Sequence, residues 1–420
     1  MLPVLYDLVL TPKGALALSL LVALVLAGTA AWRAKKDNEA LQAEGRDVDP
    51  KRPLKTFAFW ALIVAGAAFL LLPPLDSDQT VELPLHTYGL MIALGFLSAI
   101  VVTTREAVRS GRSPVYVPDA AVIHWWKKVN ETSKDPPPAE RKKILTPDYR
   151  AHVARQHVLD LAFWVLLAGL AGARILFIIV NLDQYFGDNF MGTLALGKFH
   201  MPFPRILIVW QGGLVFYGGL IGAAVGVFYY LWRNKLPLWP WTDMIIPAVP
   251  LGHFFGRLGC FSAGCCWGKA CPSDSLFATY FPEGSLAFAQ TDPSTHIHHL
   301  GQLTTQAVYP TQLFESVATL GIFFLLVYIR RNKRFHGMVL VSYAIVYPLF
   351  RTINETVRGD WGRGMLLRWP AGDPVLLSTS QLISFLVACA GIALLVWRIK
   401  RARAEAGDRE PGPRSGAVAA

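Results

Sequence analysis

The chain has 420 residues, of which 53% are hydrophobic and only 16% charged, a balance too apolar for an ordinary soluble domain. Its formal net charge of +11 needs no nucleic acid as a partner if the basic residues gather on one face of a membrane. A membrane protein is the class these proportions favour.

Apolar runs near 15–32, 56–73, 88–104, 158–181, 206–232, 238–255, 313–329, 336–353 and 380–398 match the roughly 20 residues that cross a hydrocarbon core. They predict an all-α polytopic integral membrane protein with about nine transmembrane helices. No basic stretch precedes the first run and a Lys/Arg-rich one follows it, so it reads as a retained anchor rather than a cleaved signal peptide.

Orientation follows from Lys and Arg, which concentrate on the cytoplasmic side of such proteins. Segments 33–55, 105–155, 233–237, 330–335 and 398–420 together hold 30 of them, and the alternate segments hold 9. The N-terminus is therefore expected outside and the C-terminus in the cytoplasm. Within the cytoplasmic set, residues 110–155 combine Pro136-Pro137-Pro138 with Trp125-Trp126-Lys127-Lys128 and read as a poorly ordered loop resting on the headgroup region. The tail 401–420 reads as disordered.

Polar groups at membrane depth or at span ends are costly and invite a functional reading. On this topology they collect on the outer face: Tyr88 opens the third span, Gln211 and Tyr217 lie in the fifth, Arg257 follows the sixth, and Arg351, Glu355 and Arg358 follow the eighth. Any one of them alone is explained by snorkelling or interface anchoring. Five distant stretches meeting one surface point instead to a site.

The fifth span contains Gln211-Gly212-Gly213-Leu214-Val215-Phe216-Tyr217-Gly218-Gly219-Leu220-Ile221-Gly222. Small residues at this density serve close helix packing, and they equally suit a loosened segment that lines a ligand. The segment Gly256-Arg257-Leu258-Gly259-Cys260-Phe261-Ser262-Ala263-Gly264-Cys265-Cys266-Trp267-Gly268 surrounds one guanidinium with small residues. A planar, permanently charged fork at a membrane face has a phospholipid phosphate as its natural partner.

These pieces, with Tyr88-Gly89-Leu90-Met91, Tyr309-Pro310-Thr311-Gln312-Leu313-Phe314-Glu315 and Phe350-Arg351-Thr352-Ile353-Asn354-Glu355-Thr356-Val357-Arg358, occur in the order seen in the prolipoprotein diacylglyceryl transferases, which the chain resembles over about 85–400. The resemblance implies a bacterial inner-membrane enzyme with a seven-helix core. Such an enzyme moves a diacylglyceryl group from phosphatidylglycerol to the lipobox cysteine thiol of a prolipoprotein, at the outer membrane face, as the first step of lipoprotein maturation. It also implies a division into a two-helix extension at 1–84, a core at 85–400 with a cytoplasmic insertion near 110–155 and an external loop near 269–310, and the tail.

Carried over residue by residue, the resemblance puts Arg257 at the signature arginine that holds phosphatidylglycerol and Arg351 at the second essential arginine. Glu355 is the acidic residue four positions on, Tyr88 the tyrosine of the first core span and Gly268 the closing glycine. Gln211 and Arg358 join the substrate-binding set. Three positions depart from the better-known members: Tyr217 stands where they have histidine, and Cys260 and Cys265 stand where they have asparagine and glutamate. Tyr217, His253 and Glu355 are the candidates for a replacement base. His253 precedes Arg257 by four residues and would share its helix face. The resemblance implies no metal and no organic cofactor.

Four of the five cysteines, Cys260, Cys265, Cys266 and Cys271, fall on the outer, oxidising side. They lack a CxxC pair, so zinc is not expected, whereas a disulfide between two of them and simple packing both stay open. The run His296-Ile297-His298-His299 reads as a solvated loop. Two other functions also stay open: an inactive relative that binds phospholipid or lipoprotein precursors, and a secondary transporter, for which no internal repeat is evident.

Overall fold

The computed structural model describes residues 87–182, 213, 215–359 and 378–401 in full, with Lys35. It describes the backbone alone at 4–10, 81–86, 191–196, 199–204 and 402–407. Expected spans 15–32 and 56–73 lie outside the described residues, as do Gln211 and the tail beyond 407.

The elements in chain order are strands β1 (Val4–Leu10) and β2 (Val81–His86), then helices α1 (Thr87–Ser110), α2 (Asp119–Val129), α3 (Pro138–Ile144) and α4 (Pro147–Val180). Strands β3 (Met191–Leu196) and β4 (Phe199–Pro204) follow, then α5 (Phe216–Arg233), α6 (Leu238–Ile245), α7 (Ala248–Ala263) and α8 (Leu286–Gln290). Strands β5 (Ile297–His299) and β6 (Gln302–Thr304) precede α9 (Thr311–Arg331), α10 (Met338–Thr356) and α11 (Thr379–Gly407). The chain divides into two compact units, one holding His86–Gly172 and Gly219–Ala420, the other Val4–Leu85 and Ala173–Gly218.

Among the described residues, five helical segments are long and apolar enough to cross a membrane: Thr87–Ser110, Pro147–Val180, Leu238–Ala263, Thr311–Arg331 and Thr379–Arg401. Helices α5 and α10, of 18 and 19 residues, fall on two further expected spans. In α10 the apolar run is interrupted by Pro348, Arg351, Asn354 and Glu355, and the last three side chains are buried. The helical expectation thus holds for the bulk of the chain. Among the described residues it is supplemented by three two-stranded sheets, β1-β2, β3-β4 and β5-β6.

Large apolar side chains stand exposed along these helices, for example Phe163, Trp164, Leu166, Leu167 and Leu170 on α4. Such a belt would be a liability in water and is what a lipid-facing surface requires. Inside the first unit, α1 and α9 pack on α7, and α10 packs between α9 and α11.

The 110–155 segment overturns the expectation of a poorly ordered loop. Val117 and the helices α2 and α3, through Ala121, Val122, Trp126 and Ile144, are buried in one cluster with Tyr230, Leu231, Trp241 and Met244. Trp126 does not rest on a headgroup region: its ring is buried and its Nε1 donates to Glu140 at 3.0 Å. Trp241 Nε1 donates to the Tyr116 carbonyl at 2.7 Å, which ties the insertion to α6.

Residues 269–310 likewise form an ordered lobe, built on Trp267, Phe281, Ala287 and Val308 and on the β5-β6 hairpin. The histidines there are partly engaged, since His299 stacks on Tyr280 and His296 on Phe288.

Candidate lipid headgroup site

The site begins at the end of α7, where His253 and Arg257 recur one turn apart on a single face. Gly264 ends the helix with φ of +70°, in the left-handed region, and its N–H donates back to the Phe261 carbonyl. The chain then runs through Trp267 to Gly268, which pairs in an isolated antiparallel bridge with Arg358. Gly268 N–H donates to the Tyr309 carbonyl at 2.9 Å, and a Cβ at Gly268 would lie 2.5 Å from that oxygen. Only glycine permits that approach.

Three more strings hold the segment. Thr311 Oγ1 donates to the Cys266 carbonyl and Gln312 Nε2 to the Cys265 carbonyl, both at 2.7 Å, and Gly359 N–H donates to the Trp267 carbonyl at 3.1 Å. The signature segment is thereby fastened to the start of α9 and the end of α10. The Tyr88 ring of α1 lies against Gly259, so that side chain also faces α7.

At the centre stands Glu315, a carboxylate only 1% exposed. Arg257 Nη2 is 3.0 Å from its Oε1, His253 Nε2 is 3.6 Å from the same oxygen, and Arg351 Nη1 is 3.6 Å from Oε2. Tyr347 donates to Oε1 and Asn354 to Oε2, each at 3.1 Å. Glu355 forms the neighbouring focus, with Arg351 Nη2 at 2.7 Å and Arg358 Nη1 at 3.7 Å from its Oε2.

Three guanidiniums thus face two carboxylates, which leaves one positive charge in surplus. A buried charge is tolerated only when it is compensated: Glu315 has both charge partners and hydrogen bonds from Tyr347 and Asn354, and Glu355 is compensated by its two guanidiniums. The donors are not all spent: Arg257 Nε and Arg351 Nη1 are buried with no hydrogen-bond acceptor among the described residues. Leaving a donor so costs about 1–3 kcal/mol, and phosphate oxygens would satisfy both.

The structure therefore brings together Tyr88, His253, Arg257, Gly268, Arg351, Glu355 and Arg358. Tyr217 opens α5 in the other unit, with its ring against Phe216. Glu315, Tyr347 and Asn354 received no role from the sequence. The signal was present in Glu315, an acid five residues into an apolar span, which must find cationic partners if it is buried.

Cys260, Cys265 and Cys266 are free thiols, as are Cys271 and Cys389, so the disulfide left open by the spacing is not formed. The Cys266 thiol is held well below its usual range by hydrogen bonds from Cys260 and Cys265, with Arg358 and Arg257 adding to the effect.

A family model for prolipoprotein diacylglyceryl transferase matches residues 142–397, a stretch that contains the signature segment, Glu315 and all three arginines. The chain belongs to the prolipoprotein diacylglyceryl transferase family. Among relatives, it is 28% identical to the phosphatidylglycerol–prolipoprotein diacylglyceryl transferase of Clostridium tetani over 76% of this chain and 95% of that protein. It is 28% identical to the enzyme of that name from Burkholderia ambifaria over 76% and 92%. A second Clostridium protein, the phosphatidylglycerol–prolipoprotein diacylglyceryl transferase 2 of Clostridium perfringens, is 30% identical over 58% and 80%. Prolipoprotein diacylglyceryl transferase membership, spread over most of the chain, gives no support to the secondary-transporter reading.

Proposed function

We propose that this chain transfers the diacylglyceryl group of phosphatidylglycerol to the lipobox cysteine thiol of a prolipoprotein, at the outer face of the bacterial inner membrane. The observation that carries the proposal is the convergence of Arg257 and Arg351 on Glu315, with one guanidinium donor of each unspent.

In the reaction the sulfur bonds to the glyceryl carbon as that carbon's bond to the phosphate oxygen breaks. The electron pair leaves with glycerol phosphate, and the thiol proton passes to a base or to the departing phosphate. Negative charge grows on the phosphate in the transition state, where fixed donors in a dry site act most strongly. Arg257 and Arg351 are assigned that role, with Glu315 and Glu355 holding their planes. Arg358 and Tyr88 border the headgroup, and Gly268 fixes the loop.

The base has less to supply. A cysteine thiol with pKa near 8.5 is a few per cent ionised at neutral pH, so deprotonation costs only about 2 kcal/mol. His253 Nε2 is turned to Glu315, which suits an orienting role better than that of a base. Tyr217 and Glu355 remain the alternatives, and Gln211 stays a proposed headgroup contact from the sequence.

Placement at the outer face is supported by the length of α9. Its N-terminal end carries Thr311, Gln312 and Glu315 of the site, its last turn carries Arg330 and Arg331, and 21 residues at 1.5 Å rise span about 30 Å. The site and the basic loop therefore sit at opposite ends of one membrane-length helix. With 30 Lys and Arg in one set of segments and 9 in the other, the basic ends are assigned to the cytoplasm and the N-terminus to the outside. The signal peptide of the prolipoprotein and the surrounding lipids are the partners this placement implies.

Expression of the chain in cells depleted of their own transferase tests the proposal. Restored diacylglyceryl modification of a reporter prolipoprotein is expected. Phosphatidylglycerol binding with no modification would identify an inactive lipid-binding relative instead.

A further inference from the structure

We propose that Cys260, Cys265 and Cys266 form a three-thiolate site for monovalent copper, set against the base of the signature segment. Their Sγ atoms all lie within 4.8 Å of one another, and each residue is only partly exposed. None of the three sulfurs takes part in the lipid chemistry assigned to the arginines.

The fold builds this convergence from three separate constraints. Cys260 occupies the last turn of α7, and Gly264 then reverses the chain so that Cys265 N–H donates to the Cys260 carbonyl at 3.1 Å. Cys266 sits at φ of +61°, a left-handed conformation that side-chain-bearing residues seldom adopt. Its carbonyl and that of Cys265 are held from outside by Thr311 and Gln312. Such strain persists only where the surroundings over-determine it, and it often marks a functional position. Here it turns the third sulfur toward the other two.

The donor set selects the metal. Thiolates are soft ligands that favour Cu(I) and Zn(II) over harder ions. Structural zinc takes four ligands, and no His, Asp or Glu joins the three sulfurs among the described residues. Three sulfurs without a fourth donor suit the lower coordination number of Cu(I). With a metal–sulfur bond of about 2.3 Å, a trigonal site spaces its sulfurs roughly 4 Å apart. Closing the trio onto an ion thus takes under about an ångström of movement. A disulfide would need two sulfurs at about 2.05 Å, a larger displacement that strands the third.

Charge also fits. A Cu(I) ion with three thiolates is a net anion, and Arg257, one turn before Cys260, and Arg358, bridged to Gly268, supply cations on that side. Occupancy would brace the segment from Arg257 to Gly268.

The test is a titration of the full-length protein, purified in detergent under reducing conditions, with Cu(I) in competition with a chromophoric chelator. One ion per chain is expected in the wild type. Cys260→Ser, Cys265→Ser and Cys266→Ser should each weaken uptake at least about tenfold, while Cys271→Ser and Cys389→Ser leave it unchanged. X-ray absorption of the copper-loaded wild type, which needs no variant to fold, should show three sulfur neighbours. Failure of the wild type to take up Cu(I), uptake that survives the triple serine variant, or tighter binding of Zn(II) in a parallel titration would each overturn the proposal. So would a disulfide within the trio in membranes harvested without reductant.

Discussion

Arg257 Nη2 lies 3.0 Å from Glu315 Oε1, and the carboxylate it meets is almost fully enclosed. Since Arg351, His253, Tyr347 and Asn354 reach the same carboxylate, Glu315 is the common anchor of the two arginines proposed to hold the headgroup. Glu315→Gln keeps the shape and removes the charge, leaving two buried guanidiniums less well compensated. Breaking a buried pair in this way costs about 3–5 kcal/mol, so the melting temperature in detergent should fall and transferase activity should drop sharply. Adding Arg257→Gln should recover part of the stability and none of the activity. If Glu315→Gln retains both, the carboxylate is not the anchor.

The arginines themselves are tested by charge-preserving change. Arg257→Lys or Arg351→Lys retains a cation but loses the planar fork that meets a phosphate and a carboxylate at once. Activity toward phosphatidylglycerol should fall at least about tenfold in either variant, with normal membrane insertion. Wild-type rates in both would remove them from the mechanism.

The sequence disclosed the spans that fall on described helices and most of the cluster, because hydropathy, the basic segments and charged residues at span ends are local signals. It did not disclose Glu315 as the centre. Its partners come from α7 and α10, and the pairing of one acid with two distant arginines is a tertiary fact that no spacing encodes. The order of the 110–155 insertion was hidden for a related reason. Helices α2 and α3 have 11 and 7 residues, too short to stand alone, and their apolar residues are buried by Tyr230, Leu231 and Trp241, distant in sequence. Triproline and paired tryptophans read as a surface loop until those partners are known.

Asp243 gives a prediction about stability separate from the site. Its side chain is 0% exposed, with Lys333 Nζ and the Gly337 N–H at 2.8 and 2.9 Å from Oδ2 and the Val339 N–H at 3.0 Å from Oδ1. It therefore caps the start of α10 while pairing with a basic residue of the α9–α10 turn. Asp243→Asn should cost about 3 kcal/mol and lower the melting temperature by several degrees. Activity per folded molecule should stay near wild type, and a selective loss of activity at unchanged stability would refute the structural assignment.

Topology is checked by reporter fusions. Fusions after Arg334 and within 400–420 should report the cytoplasm, and fusions near Pro293 or Gly372 the outside. A cytoplasmic signal at Pro293 would place the signature segment on the wrong face for a secreted substrate, since the 269–310 lobe continues directly from it.

Tyr217 stands where a histidine is found in better-known members of the family, so it is the natural suspect for a relocated base. If the substrate thiol needs little help, Tyr217 chiefly positions the headgroup or the substrate, and Tyr217→Phe should keep much of the activity. If the phenol is the base, the loss should be about 100-fold or more. The smaller effect is expected, because thiol ionisation costs only about 2 kcal/mol at neutral pH and the leaving phosphate carries the larger burden. A His253→Gln variant run in parallel should behave as an orienting residue, given the 3.6 Å approach of its Nε2 to Glu315. Rates measured at rising pH separate the cases: a variant lacking its base recovers as the substrate thiol ionises unaided, whereas a positioning defect persists. Recovery of Tyr217→Phe above about pH 9 would make the phenol the base and reverse the assignment.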